Sequence, residues 1–301
     1  MSAEFDLEQA VSAAGLKIDH VRDVARQTLA EDLQWGPDLT TRATIEEDQR
    51  GTADVVSREH GTLAGLPVAI AVVQQLADDH DTEVIIEPTA ADGDRLEPGS
   101  HVLTITGPLR TLLTAERSML NLVGQLSGVA TATAQWVDAI GDRRCAVRDT
   151  RKTVPGLRVL QKYAVRCGGG VNHRMGLGDA ALIKDNHVAA AGSIKAAFDA
   201  VRGNNPSVPL EIECDTLDQV REALTAGADL ILLDNMTIEQ LRSAVALAAP
   251  YRAKLEASGG LILADAAAVA ATGVDYIAVG ALTHSAPVLD LGFDLRAPVH
   301  T

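Results

Sequence analysis

"PLEIECDTLDQVREALTAGADLILLDN", residues 209–235, holds two short apolar runs, each ending in an acid, on either side of a helical stretch closed by glycine. Strand, helix and strand in that order mean two parallel strands joined by a crossover helix. The same rhythm runs through the second half of the chain. Short apolar runs recur at CAVRDT (145–150), AALIKDN (180–186), PLEIECD (209–215), DLILLDN (229–235), KLEASGG (254–260) and DYIAVGAL (275–282), mostly separated by alanine-rich helical segments such as SIKAAFDAVR. Six such strands, with no GxGxxG after the first, favour an α/β barrel over an open dinucleotide-binding sheet.

Five of the six runs end in charged or small polar side chains: Arg151 and Lys152, Lys184, Glu213, Asp234 and Ser258. Strand carboxyl ends form the active face of such barrels, so these groups are expected to converge although they are far apart in sequence. Any one of them could simply begin a solvated loop, but five together argue for a site. Ser258-Gly259-Gly260 and Gly280-Ala281 follow the last two strands, where backbone N–H groups commonly hold phosphate; each pair alone could equally be a tight turn.

The first part of the chain reads differently. Leu7 to Leu33 has helical spacing broken near Gly15, and TADVVS (52–57), EVIIEP (83–88) and HVLTITG (101–107) read as strands divided by turn residues. A helix is expected over 112–135, with Thr114 as its N-cap and Arg117 on it.

Charge sharpens the functional reading. The net charge of -15 argues against nucleic acid as a partner. Yet the segment from Arg143 to Lys184 carries ten Lys/Arg against Asp149 and Asp179. Such an island suits a small, multiply charged anion, although charge runs are more often plain solvated faces. No apolar run approaches the roughly 18 residues needed to span a bilayer. The opening MSAEFDLEQA has no basic segment followed by an apolar one, and Cys145, Cys167 and Cys214 are odd in number and far apart, so a cytoplasmic protein with reduced thiols is expected.

The candidate side chains sort by chemistry. Arg117, Arg151, His173, Arg174 and Lys184 suit carboxylates, which arginine can grip in bidentate fashion. Lys152, Glu213, Asp234 and the glycine loops suit a phosphorylated sugar, the lysine on phosphate and the acids on sugar hydroxyls or on a magnesium held by diphosphate. Two other classes fit parts of this inventory. A Schiff-base aldolase would use Lys152 or Lys184, and a non-catalytic anion sensor would need the basic island but not the acids.

"RDTRKTVPGLRVLQKYAVRCGGGVNHRMGLGDAALIKDNH" (148–187) resembles the signature of the quinolinate phosphoribosyltransferases. The resemblance extends to TAERSMLNLVGQLSGVAT (114–131), EIECD, LILLDN, LEASGG and VGALTHS (279–285), and faintly to AEDLQWGPDLTT (30–41), and so covers Leu29 to Leu291. The sequence departs from the family at Gln34 to Pro37, outside the residues that would carry chemistry.

Membership of that family would imply an N-terminal α/β sandwich over 1–126, completed by 286–301, and an incomplete, open α/β barrel of parallel strands over 127–285. It would imply phosphoribosyl transfer to quinolinate with loss of carbon dioxide, and a homodimer in which Arg117 reaches the neighbouring site. Arg117, Arg151, His173, Arg174 and Lys184 would hold quinolinate. Lys152, Glu213, Asp234, Ser258, Gly259, Gly280, Ala281 and His284 would hold phosphoribosyl pyrophosphate, with Lys152, Glu213 and Asp234 acting in catalysis. Magnesium would be needed, through diphosphate rather than a defined ligand set, and no organic cofactor. Within the same fold, a nicotinate phosphoribosyltransferase or a molybdenum-transport relative remains an alternative.

Overall fold

The computed structural model describes residues 5–141 and 144–296, so residues 1–4 and 297–301 of the expected sandwich and Arg143 of the basic island lie outside it. The chain divides into two compact units.

The first unit opens with α1 (Leu7–Ala13), α2 (Ile18–Leu33) and α3 (Leu39–Thr44). Gly15, at φ +69°, makes the break between α1 and α2. There follow β1 (Arg50–Ser57), β2 (Gly61–Thr62), α4 (Leu66–Asp79), β3 (Ile85–Pro88), β4 (Arg95–Leu96) and β5 (His101–Pro108). An antiparallel sheet in the order β12-β1-β5-β3, whose edge β12 (Leu291–Leu295) returns from far along the chain, is combined with packed helices in an α/β sandwich. Helix α4 is buried from Leu66 to Val73 without a polar face, which is why it carries no amphipathic period in the sequence.

Helix α5 is longer than the sequence suggests, running without interruption over Leu109–Ile140. Thr114 is not its cap: it lies inside the first turns, where its hydroxyl donates to Asp38 at 3.3 Å. The first unit extends along this helix to Ala132, beyond the expected division at 126. Ser127 is tied to the backbone of Ala64, and Thr131 accepts from the Thr62 N–H at 2.8 Å.

The second unit holds Thr133–Arg158 and Gly169–Ser285. Its strands are β6 (Ala146–Arg148), β7 (Ala181–Ile183), β8 (Leu210–Cys214), β9 (Leu230–Asp234), β10 (Lys254–Ser258) and β11 (Tyr276–Ala278), in one parallel sheet of order β6-β11-β10-β9-β8-β7. The sequence places 159–168 inside the barrel. In the structure α6 (Arg158–Cys167) clusters from Val159 with the first unit, where the Tyr163 hydroxyl donates to Asp92 at 2.6 Å and Arg166 donates to the Ala14 carbonyl at 2.9 Å. β6 and β7 are the two ends of the parallel sheet, so the barrel is open between them.

The remaining helices follow their strands: α7 (Asp185–Ala191) and α8 (Ile194–Asn204) after β7, then α9 (Leu217–Ala226), α10 (Ile238–Ala248), α11 (Ala266–Ala270) and α12 (Ala281–His284). Thr216 and Thr237 cap α9 and α10, each in a reciprocal box with the glutamine three residues on. Along the strands, Val147, Ile183, Ile212, Ile231, Leu233, Leu255 and Ile277 are buried. Each such side chain contributes about 1.5–3 kcal/mol. The alternate positions of a strand face the other way, toward the barrel interior. Here they are largely polar: Arg148, Glu211, Glu213, Asp234, Glu256 and Ser258.

Candidate active site

A pocket of about 360 Å³ opens at the carboxyl ends of these strands. Its lining gathers Arg151, Lys152, His173, Arg174, Lys184, Glu213, Asp234 and Ser258 from separate strand ends and loops, and adds Thr150, Glu256 and the apolar Leu182, Leu232 and Ala278. Gly259, Gly280, Ala281 and His284 are not in the lining, although two of them shape it. A methyl group on Gly280 would lie 3.0 Å from Lys152 Cδ and 3.4 Å from His284 Nε2, so the missing side chain lets the lysine stem pass. The loop that carries Lys152 is further held by the Thr283 hydroxyl, which donates to the Lys152 carbonyl at 2.7 Å. Arg117 lies on α5 in the first unit, exposed, with Glu116 at 3.9 Å, and is not a lining residue.

Two features give the pocket its charge. Arg151 and Arg174 face each other closely enough for their charges to couple: burial, then the Arg151 charge, push the Arg174 guanidinium below its ordinary range, against the pull of Asp179 and Glu211. The buried Nε of Arg151 has no hydrogen-bond partner among the described residues, while Arg174 spends one N–H on the Ala180 carbonyl at 3.1 Å. Like charges held together with an unused donor make a receptor for an anion. Lys184 instead donates to Glu213 across the pocket, the lysine half-exposed and the acid nearly covered. At the next strand end, Asp234 accepts from the side-chain amide of Asn235 at 2.6 Å.

Beneath the lining lies a buried layer that the strand-end reading passes over. Asp149 accepts from the His173 N–H at 2.9 Å and from the Asn172 side chain at 2.5 Å. Both ring nitrogens of His173 are engaged: Nδ1 accepts from the Arg174 N–H at 2.7 Å and Nε2 faces Glu211 Oε2 at 2.8 Å. The imidazole therefore braces the pocket wall that it also lines. Arg148 donates to Glu256 and stacks over Tyr276 at 4.6 Å. Glu211 and Glu256 were detectable in sequence, each two residues before a predicted site residue and hence on the same strand face.

His173, Glu211 and Glu256 are the one group among the described residues placed to hold a metal ion, their ligand atoms within 4.8 Å of one another. As arranged they do not suit a divalent cation, because His173 Nδ1 accepts from the Arg174 N–H, which leaves Nε2 as a proton donor with no lone pair to offer, and the Arg148 guanidinium already lies on one oxygen of Glu256. In the pocket itself Glu213 is engaged by Lys184 and Asp234 by Asn235. A chain-borne magnesium cage is thus not what these residues build.

Comparison with known proteins agrees with this architecture. The family model for the quinolinate phosphoribosyl transferase C-terminal domain matches residues 129–294, and that for the N-terminal domain matches 38–127. The chain is 51% identical to the nicotinate-nucleotide pyrophosphorylase [carboxylating] of Mycobacterium leprae, over 93% of this chain and 98% of the relative. It is 35% identical to a mitochondrial quinolinate phosphoribosyltransferase [decarboxylating] of Nicotiana tabacum, over 91% and 82%. The solved nicotinate-nucleotide pyrophosphorylase of Francisella tularensis superposes with a TM-score of 0.88 at 38% identity, covering 93% of this chain and 98% of that one.

Proposed function

This chain belongs to the quinolinate phosphoribosyltransferase family, and from that membership we propose that it transfers phosphoribosyl from phosphoribosyl pyrophosphate to quinolinate, releasing pyrophosphate and carbon dioxide and forming nicotinate mononucleotide for NAD biosynthesis. The observation that carries the reading is the coupled Arg151–Arg174 pair with its unused buried N–H. With Lys184 beside it in the lining, this pair matches a dicarboxylate. Nicotinate, with one carboxylate, would leave part of this cationic charge without a partner.

The ring nitrogen attacks the anomeric carbon as diphosphate leaves. Glu213 and Asp234 face the sugar and offset the positive charge that develops on it, and Lys152 offsets charge on the leaving group. Ser258 and the glycine loops at Gly259 and at Gly280, Ala281 and His284 receive the phosphates. Once alkylated, the ring nitrogen is a cation whose charge stabilises the electron pair left on the adjacent ring carbon as the carboxylate is lost, so the chemistry needs no organic cofactor. Magnesium enters with the diphosphate of the donor substrate. Arg117, exposed on α5, serves the pocket of a second copy in a homodimer. Among the described residues no helix is long and apolar enough to cross a membrane, and the three cysteines are unbonded, which suits a reducing cytoplasm.

The test is release of labelled carbon dioxide from carboxyl-labelled quinolinate. Release should require phosphoribosyl pyrophosphate and magnesium, and Arg174→Ala should lower kcat/KM by on the order of 100-fold or more. Mononucleotide formed from nicotinate, with no carbon dioxide released, would overturn the assignment.

A further inference from the structure

When the carboxylate beside the ring nitrogen leaves as carbon dioxide, the electron pair of the broken C–C bond stays on the ring carbon, which must then take up a proton. Most of the lining is poorly placed to supply it. Arginine does not give up protons in proteins, Lys184 is held on Glu213, and the His173 Nε2 proton points at Glu211, because Nδ1 is already an acceptor.

Glu256 is different. Its residue is wholly buried, yet it lines the pocket. One carboxyl oxygen takes the guanidinium of Arg148, while the other, Oε1, has no hydrogen-bond partner among the described residues and lies 3.6 Å from His173 Nε2. Glu211, also buried, converges on the same point, with its own Oε1 unpartnered. From the elements around it, Glu256 thus meets Arg148 of β6, Glu211 of β8 and His173 of the loop after α6. Two buried carboxylates converging on one point, with Arg148 on Glu256 alone and His173 on Glu211, do not both stay ionised at low cost. Burial first, then the Glu211 charge, push the Glu256 carboxyl up to about 7, with Arg148 and His173 opposing.

We propose that Glu256 is the general acid that protonates the ring carbon after carbon dioxide departs, and that Glu211 and His173 are positioning residues for its carboxyl. The inference rests on the function proposed above. In the step, the C–C bond breaks with its electron pair left on the ring carbon, the Glu256 O–H bond breaks, and its proton forms the new C–H bond. Glu256 is left as a carboxylate against Arg148 and takes its next proton from water once product has gone.

Glu256→Gln tests this in the full-length protein with quinolinate, phosphoribosyl pyrophosphate and magnesium. Glutamine copies the shape of the protonated acid and can accept from Arg148, so the fold is retained, but it has no acidic proton. Mononucleotide formation should fall by about 10²–10³. Quinolinate affinity, read by calorimetry, should change by less than about threefold. Glu256→Asp should recover part of the rate. Independently of any variant, wild-type kcat should decline as pH rises through about 7, where the acid is lost. A kcat for Glu256→Gln near the wild-type value, a loss confined to quinolinate binding, or a wild-type kcat flat across neutral pH would each overturn the proposal. A wild-type protein that releases no carbon dioxide would instead overturn the proposed function, so the two failures are told apart.

Discussion

A methyl group added at Gly259 would lie 2.3 Å from Asn235 Oδ1 and 2.6 Å from the Asn235 backbone nitrogen, on a backbone with φ of +89°. That nitrogen donates to the Ser258 carbonyl at 3.0 Å, and the Asn235 amide holds Asp234, so the clash cannot be relieved without moving two strand ends. Gly259→Ala should therefore cost about 1–3 kcal/mol in thermal or denaturant unfolding. It should also raise KM for phosphoribosyl pyrophosphate more than KM for quinolinate; equal effects on both would argue against the sugar-phosphate role of this loop. The strand-end residues were legible because five of the six apolar runs close on a charged or small polar group, a recurrence that no single loop start explains. Glu211 and Glu256 escaped for the opposite reason: inside an apolar run an acid looks like part of the strand, and only the two-residue period places it on the inner face. The basic island divides in a way that sequence spacing does not reveal. Arg151, Lys152, Arg174 and Lys184 line the pocket, whereas Arg148 donates to Glu256, Arg166 binds the Ala14 carbonyl and Lys162 is wholly buried.

At the scale of elements, β12 is fastened to β1 by more than its ladder. Past the end of β12, Arg296 grips the buried Asp54 of β1 through two hydrogen bonds of 2.7 Å, and Thr104 of β5 donates to the same carboxylate at 2.6 Å. The Arg296 hydrogen bond, opposed by burial and aided by Thr104, holds the Asp54 carboxyl below its ordinary range. The folded state thus binds this proton less readily than the unfolded one. The resulting stability is present above the ordinary aspartate pKa and is lost as pH falls through the lower folded value. With Arg296 more than half exposed, screening limits the contribution, and Asp54→Asn should cost about 1 kcal/mol near neutral pH. The difference between variant and wild-type melting temperatures should narrow in acid; a gap independent of pH would assign the loss to packing. The barrel strands were readable because each is a short apolar run between helices. The sandwich was less so: α4 has no polar face, and α5 begins directly after β5 with no capping residue to announce it.

For the molecule as a whole, the decisive quantity is the contrast between a net charge of -15 and four cationic side chains gathered in one pocket. The acidic exterior turns away bulky polyanions, while the pocket draws small ones at short range. Raising salt from low to high concentration should lower kcat/KM on the order of tenfold, mainly through substrate capture rather than turnover. A kcat that falls in step with kcat/KM would place the salt effect in the chemistry instead. The return of β12 to the first unit also bears on how the protein is made. Because Ser57 pairs with Leu291, β1 keeps a bare edge until the entire barrel has emerged from the ribosome. The amino-terminal sheet, although synthesised first, is among the last parts to close, and the nascent chain must shield an open β edge throughout the interval.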